Sequence, residues 1–190
     1  MDAGETVLHW YDFICPFCYV GQHRNAILVR RGFELVELPF QAHPDIPPQG
    51  IAAGPRAGPM YAMLEHEAAE AGLSLHWPPR LPDSRRALAV AEWTRRFQPE
   101  AFPQLHRDLF AAHFAFSEDL GDPVVVDRRA NEAGVELAAL HAALADGRAF
   151  DAVAEAEGMG RENGVNGTPA WLSSGRLIMG LRPPAEFERL

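Results

Sequence analysis

Residues 5–40 constrain the fold more than any other part of the chain. ETVLHWYDF, residues 5–13, is an apolar run rich in β-branched and aromatic side chains and reads as a buried strand. After the four-residue turn Cys15-Pro16-Phe17-Cys18, YVGQHRNAILVRR places Ile27, Leu28 and Arg31 at helical offsets, with Gly32 in the position that stops a helix. FELVELPF, residues 33–40, is a second strand. Strand, helix and strand in one sheet form a right-handed parallel unit, so a chain that begins this way is α/β.

The remainder predicts a helical block inserted before the sheet is completed. Residues 41–59 are dense in Pro and Gly and read as loop. Helices are expected over residues 60–72, after Asp83 as N-cap, along 100–116, and in DPVVVDRRANEAG and ELAALHAALADG. In the third of these, Phe102, Leu105, Leu109, Phe110, His113 and Phe114 fall mostly on one stripe. A helix from Arg148 to about Asn163 precedes two short strands, 170–173 and 176–179, joined at Ser174-Gly175 by a tight hairpin turn. A terminal helix starts after Pro183-Pro184. The expected division is therefore an N-terminal α/β half over residues 1–58, a helical insertion over 59–147, and a C-terminal α/β half over 148–190.

The 190 residues suffice for a real core, and 47% hydrophobic with 23% charged residues is an ordinary globular composition. A net charge of -9 leaves no basic field for a phosphate backbone, so nucleic acid is not an expected partner. All 17 basic residues are Arg. No stretch reaches bilayer-spanning length and the N-terminal residues lack a secretory leader pattern, so no membrane association is expected and the expected compartment is the cytoplasm. There, paired thiols are catalytic, redox-sensing or metal-binding more often than structural.

Cys15 and Cys18 are the only two cysteines. A turn leaving a strand puts Cys15 at a helix N-terminus, where unpaired N–H groups and the helix dipole favour a thiolate. Pro16 suits the first helical turn, and Cys18, about one turn on, is close enough to close a disulfide ring. A redox pair is the leading reading. Half of a metal site is a second, although none of the eight histidines is spaced to complete it. Two small buried hydrophobes is the third. Asp12 reads either as a proton acceptor for Cys18 or as a carboxylate capping the helix. Far along the chain, GVNGTPAWL sets Thr168-Pro169 before an apolar strand. Pro169 alone reads as the trans start of an edge strand; a cis bond would instead present the Thr168 backbone opposite the thiol.

The segments DFICPFCYVG, PFQAHPDIPPQG, LPDSRRALAVAEW, LHRDLFAAHF and ENGVNGTPAWL, in this order, resemble the DsbA superfamily, in its FrnE-like cytoplasmic branch. The resemblance implies a thioredoxin-like fold interrupted by an all-α insertion, with a dithiol/disulfide site at Cys15 and Cys18 and a cis-proline at Pro169. It further implies thiol-disulfide exchange with a protein or peptide, with Pro16, Phe17, Gly167 and Thr168 contacting the partner. No metal or organic cofactor is implied. The Pro16-Phe17 dipeptide resembles that of glutaredoxins, which makes glutathione a candidate co-substrate. In the neighbouring branch of 2-hydroxychromene-2-carboxylate isomerase and kappa-class glutathione transferase, Ser stands where this chain has Cys15. Glutathione-dependent isomerisation or transfer is the alternative function, and a non-catalytic binding or holdase module the second alternative.

Other side chains carry weaker expectations. Trp10, Tyr11 and Phe13 read as an apolar rim for the sulfur or as core, and Phe17 as partner contact. Gln41, His43, Pro44 and Asp45 fall where ligands gather in open α/β sheets, or simply shape a loop. Arg85 and Arg86 read as an anion-holding pair or a solvated face. Phe102, Phe110, Phe114 and Phe116 read as packing of the helical insertion on itself or against the α/β core, or in part as an apolar groove for unfolded or extended substrates.

Overall fold

The computed structural model describes residues 5–190; residues 1–4, the start of the N-terminal stretch that lacks a leader pattern in the sequence reading, lie outside the described residues. The elements run β1 (Thr6–Tyr11), α1 (Pro16–Arg30), β2 (Glu34–Pro39), β3 (Ile51–Ala52), α2 (Pro59–Glu70), β4 (Arg80–Leu81), α3 (Arg85–Phe97), α4 (Phe102–Phe114), α5 (Pro123–Glu132), α6 (Leu137–Ala145), α7 (Arg148–Glu162), β5 (Ala170–Ser173), β6 (Arg176–Met179) and α8 (Pro184–Phe187). The main sheet has the order β2-β1-β5-β6. β1 and β2 are parallel, with Thr6 opposite Glu34 and Tyr11 opposite Pro39, so α1 is the crossover of a βαβ unit. β5 runs antiparallel to β1, pairing Ala170 with Trp10, and β6 returns along β5. Ser174 and Gly175 both have positive φ, 46° and 77°, the backbone of a two-residue hairpin turn whose twist matches its strands.

The sequence places these elements closely, with a few differences. The two-residue strands β3 and β4 pair with each other outside the main sheet, inside segments rich in Pro and Gly that carry no strand periodicity. The residue preceding α3 is Ser84, whose side chain makes no cap bond; Asp83, one position earlier, accepts the Arg85 N–H at 3.0 Å. Phe116 lies beyond the end of α4 and is 63% exposed under the Arg129 guanidinium, so it does not share the packing of Phe102, Phe110 and Phe114.

One apolar cluster joins the helical insertion to the sheet. Leu88, Leu105, Leu109, Phe110, Phe114 and Leu140 pack in the same core as Tyr11, Phe13, Cys18, Tyr19 and Val20. Tyr19 stacks on Phe114, and its hydroxyl donates to the Ser74 carbonyl at 2.7 Å. On the other side of the sheet, Trp10 is fully buried and its indole donates to the Ala156 carbonyl at 3.0 Å, which docks α7 on β1. α7 comes this close because residue 160 is glycine: a Cβ there would lie 2.9 Å from Trp10 Nε1 and 3.3 Å from Phe40. Among the described residues, no helix is long and apolar enough to cross a membrane.

Gly160→Ala therefore destabilises the fold by about 1–3 kcal/mol through overpacking. Gly158→Ala, in the same helix with nothing within 4 Å of the added carbon, instead gains roughly 0.4–1 kcal/mol. Urea unfolding of the two variants checks the contrast.

Candidate active site

The parallel pairing of β1 and β2 brings the turn after β1 and the loop after β2 to the same end of the sheet. After Tyr11 the chain turns sharply: the Asp12 carbonyl accepts the Cys15 N–H at 3.1 Å. Cys15 occupies the N-cap position of α1 with extended backbone, φ -85° and ψ 113°, and Pro16 begins the helix. The Cys15 carbonyl accepts the N–H groups of Cys18 and Tyr19, each at 3.1 Å, which closes the first turn over the two sulfurs. Both thiols are free; Cys15 is half-buried and Cys18 is 1% exposed.

The hairpin strand supplies the opposite wall. Because Ala170 pairs with Trp10, the residues just before β5 reach the cysteine turn. The Thr168-Pro169 bond is cis, and the Cys15 thiol donates to the Thr168 carbonyl at 3.5 Å. Cys15, Pro16 and Phe17 on one side and Gly167 and Thr168 on the other line a pocket of about 350 Å³. Ile14, Ala42, His43 and Asn166 complete it.

The two thiols differ electrostatically. A hydrogen bond from the Cys18 thiol, assisted by the Cys18 backbone N–H, holds the Cys15 pKa below its ordinary value against the opposing effect of burial. Burial pushes Cys18 well up, and the neighbouring Cys15 sulfur adds to the rise. Asp12 is fully buried beneath this turn. Its Oδ2 accepts the Ala42 N–H at 2.8 Å and its Oδ1 the Ile14 N–H at 3.3 Å. Burial nonetheless raises the Asp12 carboxyl above its ordinary value. Asp12 thus does not cap α1; its bonds lie upstream of the helix and across to the loop after β2.

The remaining expectations divide. Trp10, Tyr11 and Phe13 are fully buried core, and of the four aromatics only Phe17 lines the pocket. Of the loop after β2, His43 lines the pocket while Pro44 and Asp45 are exposed away from it. Gln41 is buried, its amide donating to Asp83 at 2.7 Å and its N–H to Glu157 at 3.0 Å. Arg85 and Arg86 are not an anion-holding pair: Arg85 bonds Glu157 at 2.7 Å and Arg86 bonds Asp127 at 2.9 Å. Sequence reading missed Ile14, Ala42 and Asn166. Asn166 stands two residues before Thr168, a signal within the stretch already singled out, whereas nothing in an alanine marks it as pocket wall.

A βαβ unit with two cysteines at the N-terminus of its helix, a hairpin bearing a cis-proline opposite them, and helices inserted between define a thioredoxin-like fold with a helical insertion. Residues 6–190 match the family model described as the DSBA-like thioredoxin domain, and the chain belongs to that family. No curated protein matches it. Among solved structures it is similar to a probable DsbA oxidoreductase from Streptomyces coelicolor, at 23% identity and a TM-score of 0.81, covering 97% of this chain and 87% of that one. A 2-hydroxychromene-2-carboxylate isomerase matches at 18% identity and a TM-score of 0.71, covering 92% and 88%. The cytosolic disulfide reductase DsbM from Pseudomonas aeruginosa, solved with GSH, matches at 16% identity and a TM-score of 0.67, covering 97% and 96%. At these identities the likeness is one of fold.

Iodoacetamide alkylation is expected to modify Cys15 selectively, with a half-maximal rate below the roughly pH 8.5 of an unperturbed thiol, followed by peptide mapping across pH. Cys18 should stay unmodified until the protein unfolds. Asp12→Ala leaves two buried N–H groups without acceptors and is expected to cost about 2–4 kcal/mol in urea unfolding.

Proposed function

We propose that the protein is a thiol-disulfide oxidoreductase that exchanges a disulfide between Cys15/Cys18 and a protein, peptide or glutathione partner in the cytoplasm. The observation that carries this reading is the asymmetry of the pair. An accessible sulfur with a lowered pKa faces a pocket, and a buried sulfur with a raised pKa sits within hydrogen-bonding reach behind it. That is the arrangement of an attacking and a resolving thiol.

The Cys15 thiolate attacks one sulfur of a partner disulfide, forming a mixed disulfide and expelling the other sulfur as a thiolate, which takes a proton from solvent. Cys18 then gives up its proton and its sulfur attacks that of Cys15. The Cys15–Cys18 disulfide forms and the second partner thiolate leaves; the protein has lost two electrons and the partner has gained them. Asp12, a carboxyl buried beneath the cysteine turn whose pKa burial raises, takes the role of relay for the proton of Cys18. Phe17 offers an apolar face to the partner, and the Gly167 and Thr168 backbone lies alongside Cys15, where an extended chain can be aligned. Pro169 fixes that backbone. None of these steps calls on a metal or an organic cofactor.

Glutathione-dependent isomerisation is the second reading, supported by the likeness to 2-hydroxychromene-2-carboxylate isomerase. In it, Cys15 only activates the thiol of glutathione, and Cys18 is dispensable. Incubation of Cys18→Ser with glutathione disulfide or a peptide disulfide distinguishes the two: intact-mass analysis is expected to find one stable adduct, mapped to Cys15 and absent from Cys15→Ser. Failure to form an adduct with either reagent would overturn the exchange mechanism, whereas isomerase turnover undiminished in Cys18→Ser would establish the second reading.

A further inference from the structure

About two helical turns along α1 from the thiols, a second pocket of about 370 Å³ opens between α1, β2 and the first turns of α4. Ala26, Val29, Leu35 and Pro103 give it apolar walls. Its polar lining is unusual. Glu37 is 17% exposed at its side chain; its Oε1 accepts the Asn25 amide at 3.0 Å and stands 3.6 Å from His106 Nε2. That nitrogen is buried with no hydrogen-bond partner among the described residues.

Glu37 also lacks an ion-pair partner among the described arginines: burial raises its carboxyl above the ordinary value, and Arg107 opposes that rise only from beyond ion-pair distance. Burial holds His106 neutral, with its pKa lowered to about 3. His9, a second imidazole that acts electrostatically on Glu37, is likewise lowered to about 4, stacked on Trp171 and bonded through Nδ1 to the Ala170 carbonyl at 3.0 Å. No arginine comes within ion-pair distance of Glu37 among the described residues. The two buried glutamates are treated differently: Glu92 is bonded by both Arg95 and Arg96 at 2.7 Å, and Glu157 by Arg85 at 2.7 Å. A largely buried carboxylate beside a neutral imidazole is electrostatically incomplete, and a donor-bearing cation would complete it.

The rim has the opposite sign. Arg30 and Arg107 line the same pocket, both are exposed, and neither forms an ion pair among the described residues. A negative floor, a positive mouth and apolar walls between them are complementary to a molecule carrying both charges.

We propose that this pocket binds a small zwitterion of amino-acid to dipeptide size. Its ammonium group donates to Glu37 and to the unpartnered His106 Nε2, and its carboxylate meets Arg30 and Arg107. Its carbon skeleton lies along Ala26, Val29, Leu35 and Pro103. The site is separate from the thiols and does not depend on the reaction assigned to them.

The test is titration of the full chain, followed by the Asn25 side-chain amide resonances, with 6-aminohexanoate, L-leucine and L-alanyl-L-leucine. Hexylamine and hexanoate serve as singly charged counterparts. At least one zwitterion is expected to shift the Asn25 resonances with a Kd of about 1 mM or tighter, and the singly charged compounds to bind roughly 10-fold more weakly. Glu37→Gln and the double variant Arg30→Gln/Arg107→Gln should each weaken binding by roughly 10-fold or more, while Cys15 alkylation stays unchanged. Ala26→Trp, on an exposed position of α1, should fill the pocket and abolish binding with the floor intact. No shift with any zwitterion up to ~10 mM, equal binding of hexylamine or hexanoate, or undiminished binding in Ala26→Trp would each overturn the proposal.

Discussion

The buried carboxylate of Asp12 is the constraint on which the candidate active site depends. Parallel pairing of β1 and β2 delivers two loops to one end of the sheet, but pairing alone does not fix how those loops meet. Asp12 does so by accepting an N–H from each, Ile14 in the cysteine turn and Ala42 in the loop after β2. A carboxylate removed from water is costly unless its lone pairs are met, and here two backbone donors offset part of that cost while burial still raises its pKa. The wall that carries Cys15 and the wall that carries His43 are thus tied to a single side chain.

The antiparallel strand β5 adds the third wall by the same logic of register. Ala170 sits opposite Trp10, so Thr168 and Gly167 project beyond the sheet beside the turn that follows β1. Residues separated by 153 positions, Cys15 and Thr168, meet at 3.5 Å because two strands share a ladder. The contact therefore depends on the whole sheet.

Much of this was legible in the sequence, and the reasons are specific. The strand at 170–173, its hairpin and its partner at 176–179 are bounded by Pro169 and by Ser174-Gly175, residues whose backbone preferences mark edges sharply. The stripe of α4 was visible because a helix repeats its buried face, and Phe116 departs from it because the helix has already ended. The cysteine turn was visible from its place between strand and helix. Long-range pairing was not. Whether Arg85 meets an incoming anion or Glu157, and whether Asp12 caps its own helix or a loop some thirty residues on, depends on the tertiary arrangement, which local patterns do not encode. The short strands β3 and β4 lie below the length at which alternation is a signal.

Cys18 belongs to the apolar cluster that also holds α3, α4 and α6, and this has a thermodynamic consequence for the pair. Folding and disulfide formation close a cycle: whatever packing favours one redox form over the other shifts stability and reduction potential by the same free energy. For a two-electron couple, about 30 mV corresponds to roughly 1.4 kcal/mol. A methyl group lost beside Leu105 or Phe110 costs folding free energy of that order, and only the part of it that differs between dithiol and disulfide would move a potential. Packing of the helical insertion around Cys18 thus bears on the free energy of any bond this thiol makes, from the far side of the core.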